Sequence, residues 1–270
     1  MRSNNPVLTN LPKATAGGYR QQQGYQDPYA GYQPAQPTGA SDRPMTVDDV
    51  VTKTGLTLAV IVAFALVTFG VSFVDMGLAM ILTVVGAIGG FITVLVQAFR
   101  KSYGSAGATL LYAAFEGLFL GGFSMILSGW TVGDADAGAL IGQAILGTVG
   151  VFVGMLVVYK TGAIRMTPRV SRFITAAIIG VAVLAVGNLL LALFTGMNPL
   201  RDGGTLAIVF SLVCIGLAAM SFLQDFDVAD QLIRQGAPSQ MAWGVALGLA
   251  VTLVWLYTEI LRLLSYFQNR

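Results

Sequence analysis

Four carboxylates in the last quarter of the chain have the type and spacing to do chemistry. Asp225, Asp227 and Asp230 stand where one long apolar run ends (SFLQDFDVADQLIR), and Glu259 lies deep in the next (VWLYTEILRLL). A fifth, Glu116, sits inside LLYAAFEGLFLGGF. A charged group at the centre of a bilayer costs at least about 2.5–3.5 kcal/mol on insertion scales, so such groups face a bundle interior, pair, or serve a function. Asp225 follows the apolar run most closely. Facing inward, Asp225 and Glu259 have the chemistry to bind a cation, and two carboxylates held close share a proton. Oxygen-only ligands suit a hard cation such as Ca²⁺. The plainer reading pairs Glu259 with Arg262, three residues on. Asp227 and Asp230 share a helix face, and Asp230 can pair with Arg234 four residues on. Both read first as a solvated helix end, with a pore-facing place for Asp227 the sharper alternative. Glu116 is expected to face the interior, either lining a pore or satisfied locally.

The elements that position these groups are membrane spans. Of 270 residues, 55% are hydrophobic and only 10% charged, against about 25% charged in a soluble domain. Mean hydropathy is +0.74. Seven apolar runs follow one another: 55–74, 77–99, 107–128, 137–159, 173–194, 205–223 and 241–267. Each approaches or exceeds the roughly 20 residues needed to cross the hydrocarbon core. The expected fold is therefore all-α, a polytopic seven-helix transmembrane bundle. Gly86, Gly89, Gly90, Gly117, Gly121 and Gly122 predict close helix packing, because small residues let backbones approach in lipid. Gln97, Gln143 and Asn188 are expected to hydrogen-bond between helices. An outer-membrane barrel would alternate in hydrophobicity rather than run apolar.

Residues 1–49 differ in kind. They are rich in Gln, Tyr, Pro and Gly, lack apolar periodicity, and read as a disordered tail before a membrane domain at 50–270. No short apolar core precedes a small-residue cleavage site, so the tail does not read as a signal peptide. Residues 46–53 form a short amphipathic lead-in. Basic residues gather in the tail (Arg20, Arg43, Lys53), after run two (Arg100, Lys101) and between runs four and five (Lys160, Arg165, Arg169, Arg172). The alternate loops hold Asp75, Asp134, Asp136 and the Arg201–Asp202 pair. The positive-inside rule then puts the N-terminus in the cytoplasm of a multi-pass cell-membrane protein. Arg262 and Arg270 fit poorly with an outside C-terminus, which leaves a re-entrant last segment open.

Other classes lack their residues. There is no His, hence no His-ligated metal site, no triad and no ordinary neutral-pH switch. HExxH, GxSxG and P-loop motifs are absent, and GAIGG lies inside an apolar run, so the chain reads as no enzyme and implies no resident cofactor. A net charge of +2 without a basic cluster argues against nucleic acid. The single Cys214 forms no intramolecular disulfide.

Seven runs, QDFD at the end of the sixth and WLYTEILRLLSYF in the seventh together resemble the Bax inhibitor-1 family, most closely its bacterial YccA-type members. The resemblance covers roughly residues 51–268. It implies a bundle with the last helix central, and a pH-sensitive Ca²⁺ leak. It further implies that acidic residues on helices six and seven share a proton; these match Asp225 and Glu259, although the family pattern has Asp on helix seven. A basic residue at the end of helix two would latch onto the pair, matching Arg100 with Lys101 next. At 1.5 Å per residue, Glu259 lies about 27 Å beyond Met241. The pair can meet only if run six continues well past Leu223 or helix seven starts late. The expected function is a Ca²⁺ leak gated by protonation of Asp225 and Glu259, with the bilayer, Ca²⁺ and protons as partners. One rival is a non-conducting regulator of a membrane protease or stress response, with a membrane-protein partner. The other is a proton-coupled transporter.

Overall fold

The computed structural model describes residues 43–99, 104–131 and 137–268. Seven helices follow in order: α1 (Val47–Ser72), α2 (Met76–Phe99), α3 (Ala106–Thr131), α4 (Ala137–Thr161), α5 (Pro168–Thr195), α6 (Thr205–Arg234) and α7 (Ala242–Gln268). All seven are long and apolar enough to cross a membrane. The described residues hold no strand beyond one isolated bridge. The lead-in at 46–53 is continuous with α1, started by a capping box in which Thr46 and Asp49 bond each other's backbone. This satisfies two of the amide groups that a helix start leaves open. α5 starts on Thr167 with Pro168 in its first turn and stops at Gly196, whose φ of 73° suits a left-handed C-cap.

α6 runs eleven residues beyond the apolar stretch that ends at Leu223, as far as Arg234. Its polar extension supports itself: Gln231 donates to Asp227 at 2.6 Å and Arg234 pairs with Asp230 at 2.8 Å, each four residues apart. Gly236, with φ 66°, ends it. A 3-10 turn at Ser239–Met241 then opens α7. α7 is one unbroken helix, long and apolar enough for a full crossing.

α7 is the axis of the bundle. It packs against α1, α3, α4 and α6, and 56% of its most apolar window is buried, against 6% for α5. α5 leans on α6, where Gln224 donates to the Ser171 hydroxyl at 2.8 Å. The glycines of α2 and α3 bring three helices together. A Cβ at Gly86 would stand 2.5 Å from the Phe115 carbonyl oxygen. One at Gly121 would meet the Ala65 carbonyl of α1, and one at Gly122 the Thr83 hydroxyl of α2. Gly121→Leu is therefore expected to lower stability by about 1–3 kcal/mol through overpacking. Gly107, with nothing nearby, should accept Ala without loss. Thermal unfolding of the two variants in detergent checks both.

The bundle has two ends. At the near end lie the starts of α1, α3, α5 and α7 and the ends of α2, α4 and α6. Here residues 43–45 cross onto the α6–α7 turn. Met45 N donates to Ala237 O at 2.7 Å and Ser239 N to Arg43 O at 2.9 Å, forming a bridge between Pro44 and Pro238. Met45 is 2% exposed in a core with Phe222, Phe226 and Val245. Arg43 grips Asp49 with two bonds of 2.6 and 2.9 Å, and Lys53 donates to Ser239 O. The expected tail boundary at residue 49 therefore moves back to at least residue 43. Residues 1–42 lie outside the described residues.

Candidate functional site

The α6 extension and the glycines of α7 together make a recess at the near end. Asp225 is partly buried on α6. The Thr252 hydroxyl of α7 donates to its Oδ2 at 2.7 Å and lies 3.2 Å from Gly248 O. A cavity of about 130 Å³ opens beside the carboxylate, lined by Val228, Leu232, Met241, Gly244 and Gly248 among others. That is room for several waters or a partly hydrated ion. Glycine is what leaves it open: a Cβ at Gly248 would stand 3.7 Å from Asp225 Oδ1.

Glu259 lies elsewhere. It is 3% exposed, and its Oε1 accepts from Arg262 Nη1 at 2.6 Å. Arg201, from the α5–α6 loop, brings Nη2 to 3.8 Å of the same oxygen. Oε2 has no hydrogen-bond partner. Arg262 also stands over the Phe123 ring, 5.4 Å from its centroid. Burial first, and then neighbouring Arg262, pull the Arg201 pKa below its ordinary value, with Glu259 acting against them.

The expected Asp225–Glu259 pair is therefore not formed. α6 does continue past Leu223, as the pair required. The α6–α7 register then sets Thr252 against Asp225, and Glu259 is seven residues further along α7, about 10 Å by helical rise. In this structure the two carboxylates have separate partners, and no group of three Cys, Asp or Glu gathers among the described residues. Asp225 shares its site with a hydroxyl, and Glu259 is the neighbour of two arginines.

The model of the Bax inhibitor 1 like family matches residues 5–269. The chain belongs to that family. Among curated proteins none matches it.

In this Bax inhibitor 1 like protein the other expected site residues scatter. Glu116 sits between α2 and α3, its Oε2 so close over Gly90 that a Cβ there would stand 2.6 Å away. It is not among the residues that line the Asp225 recess. Asp227 bonds Gln231, and Asp230 pairs with an Arg234 whose side chain is 77% exposed. Asp230→Asn should accordingly change thermal stability by less than about 1 kcal/mol, the range of exposed ion pairs. Arg100 and Lys101 lie outside the described residues. Asn188 does not bridge two helices: it donates to Asn198 and accepts from Leu200 N at 3.1 Å, fastening the loop that carries Arg201. Thr252 and Arg201 are the residues that sequence reasoning missed. A threonine in an apolar run carries no signal of its own, and Arg201 reads as an ordinary loop charge.

Proposed function

We propose that this protein is a pH-sensitive leak for Ca²⁺ in the cell membrane, with the near end facing the cytoplasm and Ca²⁺ as cargo rather than resident cofactor. One observation carries the reading: a carboxylate within a membrane bundle, Asp225, opens onto a cavity at the seam of the two most buried helices. Ionisable groups kept inside membrane bundles mark ion and proton pathways, and carboxylate and hydroxyl oxygens are hard-cation ligands. Arg43, Lys53, Lys160, Arg165, Arg169, Arg172 and Arg234 all belong to the near end, which supports a cytoplasmic placement. Among the described residues Asp225 is the one ionisable group lining the cavity, so on this reading pH sensitivity needs no second carboxylate. The chemistry is transport, with no enzymatic step.

A second reading is a non-conducting regulator that acts on a membrane-protein partner. What favours it is the poverty of the recess, which offers one carboxylate and one hydroxyl where Ca²⁺ takes six to eight oxygens. Ca²⁺ entry into dye-loaded proteoliposomes between pH 5 and 8 separates the two, with Asp225→Asn and an unrelated membrane protein alongside. The leak reading expects flux that varies with pH in the wild type and not in Asp225→Asn. Flux from folded, inserted protein that never exceeds the unrelated control removes the leak and leaves the regulator.

A further inference from the structure

The leak reading uses the near end of the α6–α7 seam and leaves its far end without a task. The register set by Asp225 and Thr252 runs antiparallel along that seam. Seven residues on in each helix, Ala218 comes level with Glu259; seven more bring Ser211 level with Tyr266. Residues seven apart lie almost on one helix face, so Thr252, Glu259 and Tyr266 form a polar stripe on α7. Its far part is buried but unsatisfied. Glu259 Oε2, the Ser211 hydroxyl and the Tyr266 hydroxyl are all buried without a hydrogen-bond partner. Buried polar groups in native proteins are nearly always bonded to protein or water. Three such atoms on one seam mark a place with the chemistry to hold water or a hydrated ion.

The charges there exceed what a structural ion pair requires. Arg262 already neutralises Glu259 at 2.6 Å. Arg201 adds a second guanidinium 3.8 Å from the same oxygen, on a loop, with its side chain 29% exposed. The loop is bracketed by Gly196 and Gly203, both with positive φ. Within the seam two guanidinium groups face one carboxylate, while exposed Asp202 of the adjoining loop has the opposite sign, so the repulsion of a cation is confined to the seam itself.

We propose that Arg201, Glu259 and Arg262 form a clamp that closes the far end of the α6–α7 seam to water and cations, and that withdrawal of Arg201 opens it. The species it admits is a hydrated cation. The inference rests on the leak reading in treating the seam as a passage, but its test does not need flux.

Cys214, the only cysteine in the chain, is 1% exposed on the seam face of α6. It is close enough to Glu259, Arg201 and Arg262 to feel their charges. It reports water entry directly. The full-length protein in nanodiscs is treated with a membrane-impermeant cationic methanethiosulfonate, and modification of Cys214 is followed by intact mass. Arg201→Gln should be labelled about ten-fold faster than wild type or more, as a shift of population toward an open seam requires. Arg201→Lys, which keeps the charge, should stay near the wild-type rate. Asn198→Ala, which removes one of the loop's two bonds to Asn188 without touching the clamp, should fall between them. It decides the question if Arg201→Gln loses its thermal transition.

Equal labelling in wild type and the loop variants overturns the clamp, as does fast labelling in the wild type. The same variants are then assayed for Ca²⁺ flux beside Asp225→Asn. Faster labelling in Arg201→Gln with flux at control level in every variant keeps the clamp as a water seal and removes the leak. Unchanged labelling with Asp225-dependent flux removes the clamp and keeps the leak.

Discussion

Replacing Glu259 with Gln is expected to destabilise the detergent-solubilised protein by about 3–5 kcal/mol, the range for breaking a buried ion pair from one side. The loss has a specific origin. Glu259 and Arg262 have side chains only 4% and 12% exposed, and Glu259 is the anion for both Arg262 and Arg201. Gln keeps the shape and one acceptor oxygen but leaves two guanidinium charges facing each other in a poorly hydrated place. The Phe123 ring under Arg262 offsets part of this through its negative face. Replacing both partners, Glu259→Leu with Arg262→Leu, should recover much of the loss, because the one cation then left without its anion, Arg201, has a side chain 29% exposed. Chemical denaturation of the two variants and the wild type measures both. A Glu259→Gln variant within about 1 kcal/mol of wild type, the range of exposed pairs, would show that the cluster is hydrated in the resting protein.

The second large effect belongs to the recess. Thr252→Asp sets a second carboxylate where a hydroxyl now lies 2.7 Å from Asp225, which builds from Thr252 the acidic pair that Glu259 does not supply. Ligand charge count is a main determinant of Ca²⁺ affinity in oxygen sites. Under the leak reading the variant should bind Ca²⁺ at least about ten-fold more tightly and pass it more slowly, because a tightly held ion leaves slowly. Thr252→Asn, similar in shape and uncharged, should do neither. Tb³⁺ luminescence reports binding and the dye-loaded vesicles report flux. A Thr252→Asp protein that folds and binds Ca²⁺ no better than Thr252→Asn would mean that the recess is not on the ion's route.

The parts of this structure that were legible in the sequence are those set by neighbours along the chain. Seven spans follow from apolar length alone. The tight α1–α2–α3 packing follows from glycines that have no other use in an apolar run. The Glu259–Arg262 pair was the plain reading of an i, i+3 spacing. What could not be read depends on register between distant helices. The hydropathy signal of run six stops at Leu223, yet the helix continues on side-chain pairs such as Asp230–Arg234 that hydropathy does not count. That continuation made a meeting of Asp225 with α7 possible. Which residue it meets was decided by a shift of two turns, and that shift replaced a carboxylate by Thr252. Arg201 reaches Glu259 from a loop more than fifty positions earlier, a contact with no local trace. Met45 was illegible for another reason: one apolar residue among polar ones says nothing until the surface that buries it is known.

The crossing of residues 43–45 over the α6–α7 turn also has a consequence for how the protein is made. Lys53 and Ser239 are 186 residues apart in the chain, and the ribosome adds about 5–20 residues per second. The docking surface for Met45 therefore emerges roughly ten to forty seconds after Met45 itself. Until then the leading turn of α1 has only its own capping box and the Arg43–Asp49 pair to hold it. The first described residues of the polypeptide are thus among the last to find their place, and their arrival fastens the start of the chain to the hairpin that completes the bundle.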